Sequence, residues 1–378
     1  MKLLVVAGEP SGDRAIAAVV DALSRTHALE LVGIGGDALA ERGARLVGHV
    51  RDVSGMGLFE LARRASSITR ALLSLAGEAR ASRFDVAVLA SWSVANARIG
   101  RALRRRGVRV VWISPPEVWA WGASRVRRLV GCADRFAVTL PFEEALWRQG
   151  GGDATYVGHP ALTASTNDRA SARASLGLSP DARALAILPG SRPAEIARLL
   201  VPFVDAARAF TRRHPSIAVR LIAAPSLPHD ARRSLREAAI AASIPLVEAR
   251  EGAASLLSAF DVALVASGTA SLECALAETP PVIAYRLHPV TMAIARRLVR
   301  TKHIALPNVI LERAEKTGPF RERVQGAANG EELARALMAT LDDASLGDAC
   351  RSVRACMESP LVDRTQTFAT RVASIIVG

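Results

Sequence analysis

Aromatic residues make up only 4% of this 378-residue chain, and lysine is nearly missing, present only at Lys2, Lys302 and Lys316. With no basic tract interleaved with aromatics, the chain lacks a base-stacking platform, and no nucleic-acid partner is expected. Cysteine is confined to Cys132, Cys274, Cys350 and Cys356. None form a C-x-x-C pair and no histidine stands beside them at ligand spacing, so they read as reduced thiols and no metal site is expected. No apolar run reaches the roughly 20 residues a membrane-crossing helix needs. The opening apolar run breaks at Gly8-Glu9-Pro10, as a buried first strand does and a signal peptide does not. The expectation is a protein that is cytoplasmic or docked on the cytoplasmic face of a membrane. Absent too are a G-x-x-x-x-G-K-[ST] loop and a G-x-G-x-x-G turn; Gly33-Ile34-Gly35-Gly36 is too short for a dinucleotide fingerprint.

What is present is aliphatic: 50% of residues are hydrophobic. The length exceeds one ordinary core, so two α/β domains are expected, with small side chains suited to helices packed on parallel sheets. Strand-like runs at 3–7, 29–34, 85–89, 108–113 and 135–139 alternate with helical patterns. The clearest helix lies within 58–75, with Leu61, Ala65, Ile68, Leu72 and Leu75 on one stripe. A Ser/Thr/Asn/Asp-rich stretch marks a hinge near 161–175. A second alternation follows, with strands at 184–188, 218–223, 245–247, 262–265 and 282–285. Residues 364–377 read as a packed terminal helix. The expected fold is two doubly wound, Rossmann-like parallel sheets with an interdomain cleft, the ligand binding at the carboxyl ends of the strands. The expected domains span 1–165 and 166–355, with a packing helix in 356–378.

Two loops in the second half carry the chemistry. Leu188-Pro189-Gly190-Ser191-Arg192 links a strand to a helix, where small residues admit a phosphate and Arg192 offers a planar donor fork. A solvated arginine on an ordinary turn is the plain alternative. Ser267-Gly268-Thr269-Ala270-Ser271-Leu272-Glu273 follows another strand. Ser267 and Thr269 are candidate helix caps, the helix start faces a pyrophosphate, and Glu273 is placed to accept a ribose diol. A capping box ending at Glu273 is the plain alternative. Leu306-Pro307-Asn308 adds a weaker signal, an amide directed by proline.

The formal charge is +13, from 49 Lys+Arg against 36 Asp+Glu. It reflects either an arginine-favouring composition or attraction to anionic phosphates and lipids.

Together with Ala7–Asp13, Gly33–Gly36, Gly55-Met56-Gly57, Ser114–Trp121, Leu140-Pro141-Phe142-Glu143 and Val157-Gly158-His159-Pro160, these motifs occur in an order that resembles the lipid-A-disaccharide synthase family, from about residue 3 to residue 310. The resemblance implies a GT-B fold and a metal-independent, cofactor-free inverting transfer. In that reaction 2,3-diacylglucosamine passes from its UDP conjugate to 2,3-diacylglucosamine 1-phosphate, giving the β-1,6 disaccharide and UDP. It implies a peripheral position on the cytoplasmic face of the inner membrane. It also implies that Gly190, Ser191, Arg192, Ser267, Gly268, Thr269, Ala270, Glu273 and Asn308 meet the UDP-sugar. Glu9, Ser11 and Asp13 would face the acceptor, with Met56, Phe59 and Trp119 on the acyl side. Leu58, Phe59 and Leu73 near Arg63, Arg64 and Arg70 suit a membrane interface, or else the helix is a buried crossover with a basic outer face. The sequence leaves a homodimer open.

One loop departs from the family. Where the resemblance implies D-x-P-D-F-N, with the second aspartate as base, the chain reads Ser91-Trp92-Ser93-Val94-Ala95-Asn96, and only Asn96 persists. The Ser114–Trp121 segment carries one extra residue, Pro116 or Glu117. Candidate bases are therefore Asp13, Glu9, Glu60 and Glu117, with Asn96 retained in the catalytic set. A retargeted or inactive UDP-sugar-binding relative is the alternative reading, and a UDP-sugar epimerase the third.

Overall fold

The computed structural model describes residues 1–53, 64–164, 168–249, 252–289, 291–292, 297 and 301–378. Met56, Phe59 and Glu60 lie outside the described residues, as does most of the first half of the expected 58–75 helix; its second half falls within the helix Ala65–Ala81. The chain forms two compact units, one built from Met1–Pro160 and Pro360–Gly378, the other from Ala161–Arg297 and Thr301–Ser359.

The first unit is a seven-stranded parallel sheet: β1 (Lys2–Ala7), β2 (Glu30–Gly35), β3 (Arg45–His49), β4 (Val86–Ala90), β5 (Arg109–Ile113), β6 (Arg135–Val138) and β7 (Ala154–Tyr156). Its order is β3-β2-β1-β4-β5-β6-β7. Leu3, Val5, Val86 and Val88 are buried because helices cover both faces, which is why the central strands read as continuous apolar runs. The terminal helix Phe368–Val377 packs Phe368, Val372 and Ile376 into this same core. Arg109 donates to the carbonyls of Ile375 and Ile376, closing the helix end.

The second unit holds β8 (Ala184–Leu188), β9 (Ala218–Ala223), β10 (Leu246–Glu248), β11 (Val262–Ala266), β12 (Pro281–Tyr285) and β13 (Glu322–Val324). Their order is β10-β9-β8-β11-β12-β13, again all parallel. Each sheet reverses its winding once, between β1 and β4 and between β8 and β11. In doubly wound sheets the crevice for a ligand opens at such a reversal, beyond the carboxyl ends of the strands.

The division differs from the expected boundaries. The expected 356–378 segment is split: the helix Ser345–Glu358 stays with the second unit, and the residues after it return to the first. Pro307 sits in the first turn of the helix Leu306–Arg313, a position where its missing N–H costs nothing.

Candidate functional site

In the second unit, β8 and β11 are hydrogen-bonded neighbours, with Leu188 opposite Val265. The loops that leave them, 189–192 and 267–268, therefore open side by side on the same sheet edge, about 4.8 Å apart at their strand ends. This brings together the two segments expected at the diphosphate.

Gly190 has φ +125°, and a Cβ there would lie 2.6 Å from the Cβ of Glu195. Only glycine fits. Glu195, in the first turn of the helix Pro193–Arg213, accepts the Ser191 N–H at 2.9 Å and the Arg192 N–H at 3.2 Å. Its other oxygen takes an Arg192 Nη1 hydrogen at 3.1 Å. These bonds form a capping box that closes the start of that helix.

Gly268, φ +151°, begins the helix Thr269–Leu276. The expected caps from Ser267 and Thr269 are not made, and neither is the capping box with Glu273: no side chain caps this helix start. The Ser267 hydroxyl turns to the Ile304 carbonyl, and that of Ser271 to the Gly268 carbonyl. Gly268 and Thr269 are exposed, and a Cβ on Gly268 would meet nothing. Uncapped N–H groups in open space carry the positive end of the helix dipole. Ala270 and Glu273 are partly buried within the following turn.

Asn308 corrects an expectation. It is wholly buried, its amide donating to the Phe320 carbonyl at 2.8 Å and to Glu322 at 2.7 Å, and its oxygen accepting the Phe320 N–H at 3.0 Å. With both amide groups engaged inside the fold, it positions the 318–322 turn and offers a sugar nothing.

In the first unit, the loops after β1, β4, β5 and β6 lie next to one another in that order. Asp13 is buried there, and its carboxylate accepts the N–H groups of Gly36 at 2.6 Å and Ala38 at 3.1 Å. It caps the short helix Asp37–Ala40 and is no candidate base, contrary to the expectation. Asn96 is buried too. It donates to the carbonyls of Ala90 and Ser91, while its Oδ1 has no partner. That pins a strained loop, in which Ser91 (φ +54°) and Trp92 (φ +50°) are consecutive left-handed residues without being glycine. Gly8 admits the indole, since a Cβ there would fall 2.1 Å from the Trp92 Cβ. Asn96 is thus a positioning residue. Val94, where a carboxylate was expected, is 71% exposed in the first turn of the helix Ser93–Arg104. Glu9 precedes the helix Pro10–Ser24, partly buried, and Ser11 is exposed.

Trp119 is 9% exposed, edge-on to Phe142 with ring centroids 5.6 Å apart, so it cannot offer a face to an acyl chain. Trp121, at 41%, is the exposed indole of that segment.

Glu143 closes the Leu140–Glu143 motif, but the sequence assigned it no role of its own. It is 2% exposed, and its Oε2 accepts the N–H groups of Leu140 at 3.0 Å and Thr139 at 3.3 Å. Desolvation, reinforced by Glu117, pushes its carboxyl up to about 8, against the pull of the two backbone donors. His159 moves oppositely: close packing around its ring lowers it to about 4, although the residue as a whole keeps some exposure. Both groups are neutral at pH 7.

Among the described residues no cluster of three or more His, Cys, Asp or Glu is arranged to hold a metal ion. An open depression of about 700 Å³ lined by Arg101, Arg104, Arg105 and Arg109 lies at the amino end of β5, on the opposite edge from these loops. Three of its arginines are engaged, Arg101 with the Arg128 carbonyl, Arg104 with Asp134 and Arg109 with the terminal helix.

The sequence pattern of the lipid-A-disaccharide synthetase family matches residues 3–370. A lipid-A-disaccharide synthase of Myxococcus xanthus is 38% identical over 336 residues, 88% of this chain and 86% of that one. The one from Geobacter sulfurreducens is 30% identical, covering 100% of this chain and 96% of its own. Among solved structures, UDP-GlcNAc 2-epimerase from Neisseria meningitidis bound to UDP-GlcNAc superposes with TM-score 0.62 at 13% identity, over 100% of this chain and 98% of that chain. MurG from Acinetobacter baumannii does so with TM-score 0.55 at 14% identity, over 100% and 99%. At these identities the structures attest a shared fold.

Proposed function

Because the chain belongs to the lipid-A-disaccharide synthase family, glycosyltransferases of GT-B fold, we propose that it moves 2,3-diacylglucosamine from UDP-2,3-diacylglucosamine to 2,3-diacylglucosamine 1-phosphate. The products are the β-1,6 disaccharide 1-phosphate and UDP. One observation carries the donor half of this reading: the Gly190–Arg192 loop and the uncapped start at Gly268–Ala270 leave neighbouring strands on one sheet edge. Diphosphate oxygens would meet the Arg192 fork and Ser191 on one side, and the 268–270 N–H groups with the Ser267 and Thr269 hydroxyls on the other. Glu273 would take the ribose diol. Positive charge and fixed N–H dipoles at that place stabilise UDP as it departs with the electrons of the broken C1–O bond.

The acceptor falls to the first unit, whose β1 and β4 loops carry Glu9 and Ser11. Acylated substrates reside in a membrane, and the enzyme would work on the cytoplasmic face of the inner membrane. Leu73, 67% exposed beside exposed Arg70 on the helix Ala65–Ala81, supports such a peripheral contact. Among the described residues no helix is long and apolar enough to cross a membrane.

A second reading, a retargeted or inactive binder of a UDP-sugar, is favoured by one observation: exposed Val94 cannot accept a proton. Incubation with both acylated substrates separates the two readings. UDP release with a product of disaccharide mass supports transfer. UDP binding by calorimetry with no product supports the second reading.

A further inference from the structure

In the second sheet β11 lies between β8 and β12. The 267–268 loop that leaves β11 is therefore flanked on one side by the Arg192 loop and on the other by Arg286, the first residue after β12. The Ser267 N–H donates to the Ala284 carbonyl at 2.9 Å, so the two chains are still paired where that loop begins. Arg286 stands two residues beyond this carbonyl.

Its place is fixed from two directions. Gln325 grips the next residue, its Oε1 accepting the Leu287 N–H at 2.8 Å and its Nε2 donating to the Leu287 carbonyl at 3.2 Å. The Arg286 Nε donates to the Gln325 carbonyl at 3.1 Å, and its Nη1 to the Arg198 carbonyl at 3.4 Å. Arg198 belongs to the helix Pro193–Arg213, which the Arg192 loop opens, about 9 Å along the axis from Arg192. Arg192 and Arg286 thus both stand against the first turns of one helix.

The two cations differ in what balances them. Arg192 is paired with Glu195 at 3.1 Å. Arg286 is half-buried and bonded only to carbonyls. Among the described residues no carboxylate pairs with it, and its Nη2 makes no hydrogen bond. Carbonyl dipoles solvate a cation without cancelling its charge, and a cation withdrawn from water with no counter-charge is unfavourable. An anion bound at the 267–268 loop relieves that cost.

We propose that Arg286 is a second cationic residue of the donor site, its Nη2 donating to the diphosphate. Two guanidiniums then hold the diphosphate from either side of the helix start at Gly268. The inference rests on the UDP-sugar site proposed above and adds the residue that supplies its unbalanced positive charge.

The test uses the full chain, with UDP binding followed by calorimetry and uridine binding by displacement. Arg286→Gln is expected to weaken UDP by about 10- to 100-fold, the range for a charge-assisted contact to phosphate. Uridine, which lacks the diphosphate, should stay within about twofold. Arg286→Lys keeps the charge without the planar fork, so its loss for UDP should be smaller, about 3- to 10-fold, with uridine again unchanged. UDP and uridine weakened by equal factors would make Arg286 a tie between Gln325 and Arg198 only, and overturns the inference. If Arg286→Gln does not fold, the same comparison in Arg286→Lys decides. A wild type weakened by Arg192→Ala but not by either Arg286 variant overturns this inference alone. A wild type that binds no UDP overturns the donor site itself.

Discussion

Asn308 and Glu322 are hydrogen-bonded at 2.7 Å, and Glu322 in turn accepts the Ile304 N–H at 2.9 Å and lies 3.2 Å from His303. The pair ties the helix Leu306–Arg313 to β13 and to the chain entering that helix. A Cβ on Gly318 would sit 2.9 Å from the Asn308 Cβ, so the turn closes tightly over the amide.

Asn308→Ala is therefore expected to cost stability before it costs binding. It strands the Phe320 N–H and carbonyl without partners, worth about 2–4 kcal/mol. Denaturant unfolding checks this, with UDP affinity measured under native conditions. Lowered stability with UDP affinity within about threefold fits a positioning role. Unchanged stability with lost affinity would mean that the amide meets the ligand.

Glu143 predicts a pH dependence of stability. Its folded value of about 8 lies above the ordinary 4.5, so the folded state holds a proton that the unfolded state releases. The contribution is fully present below about pH 4.5 and is lost as pH rises through 8, on the order of 4–5 kcal/mol in all. His159, lowered to about 4, acts in the opposite sense below about pH 6.5. The measurement is therefore the difference between wild type and Glu143→Gln, by unfolding from pH 5 to 9. The variant should gain relative stability steadily toward pH 8. A constant difference would show that Glu143 is ionised throughout.

The central strands were legible because strands covered on both faces read as unbroken apolar runs ending at Gly or Pro, as Leu3–Ala7 and Ala184–Leu188 do. The edge strands β3 (Arg45–His49) and β13 (Glu322–Val324) were not. Half exposed, they carry Arg, His and Glu and lack that signature. Gly190 and Gly268 were legible at the site because positive φ restricts both places to glycine, and close approach to Glu195 restricts the first further. The roles of Asp13 and Asn308 were not, because each depends on a partner distant in sequence: Gly36 for the first, Phe320 and Glu322 for the second. Glu143 lay inside a recognised motif, yet its neutral state follows from burial and from Glu117, 26 residues earlier, which no local pattern encodes.

The central claim is that a nucleotide diphosphate is held by the Arg192 guanidinium and the helix start at Gly268–Ala270 without a metal ion. Calorimetry of UDP binding in EDTA, on wild type and Arg192→Ala, tests it most directly. UDP should bind wild type equally with and without the chelator, and the variant should lose about 10- to 100-fold in affinity, the range for a charge-assisted contact to phosphate. Binding abolished by EDTA, or unchanged in Arg192→Ala, would contradict it.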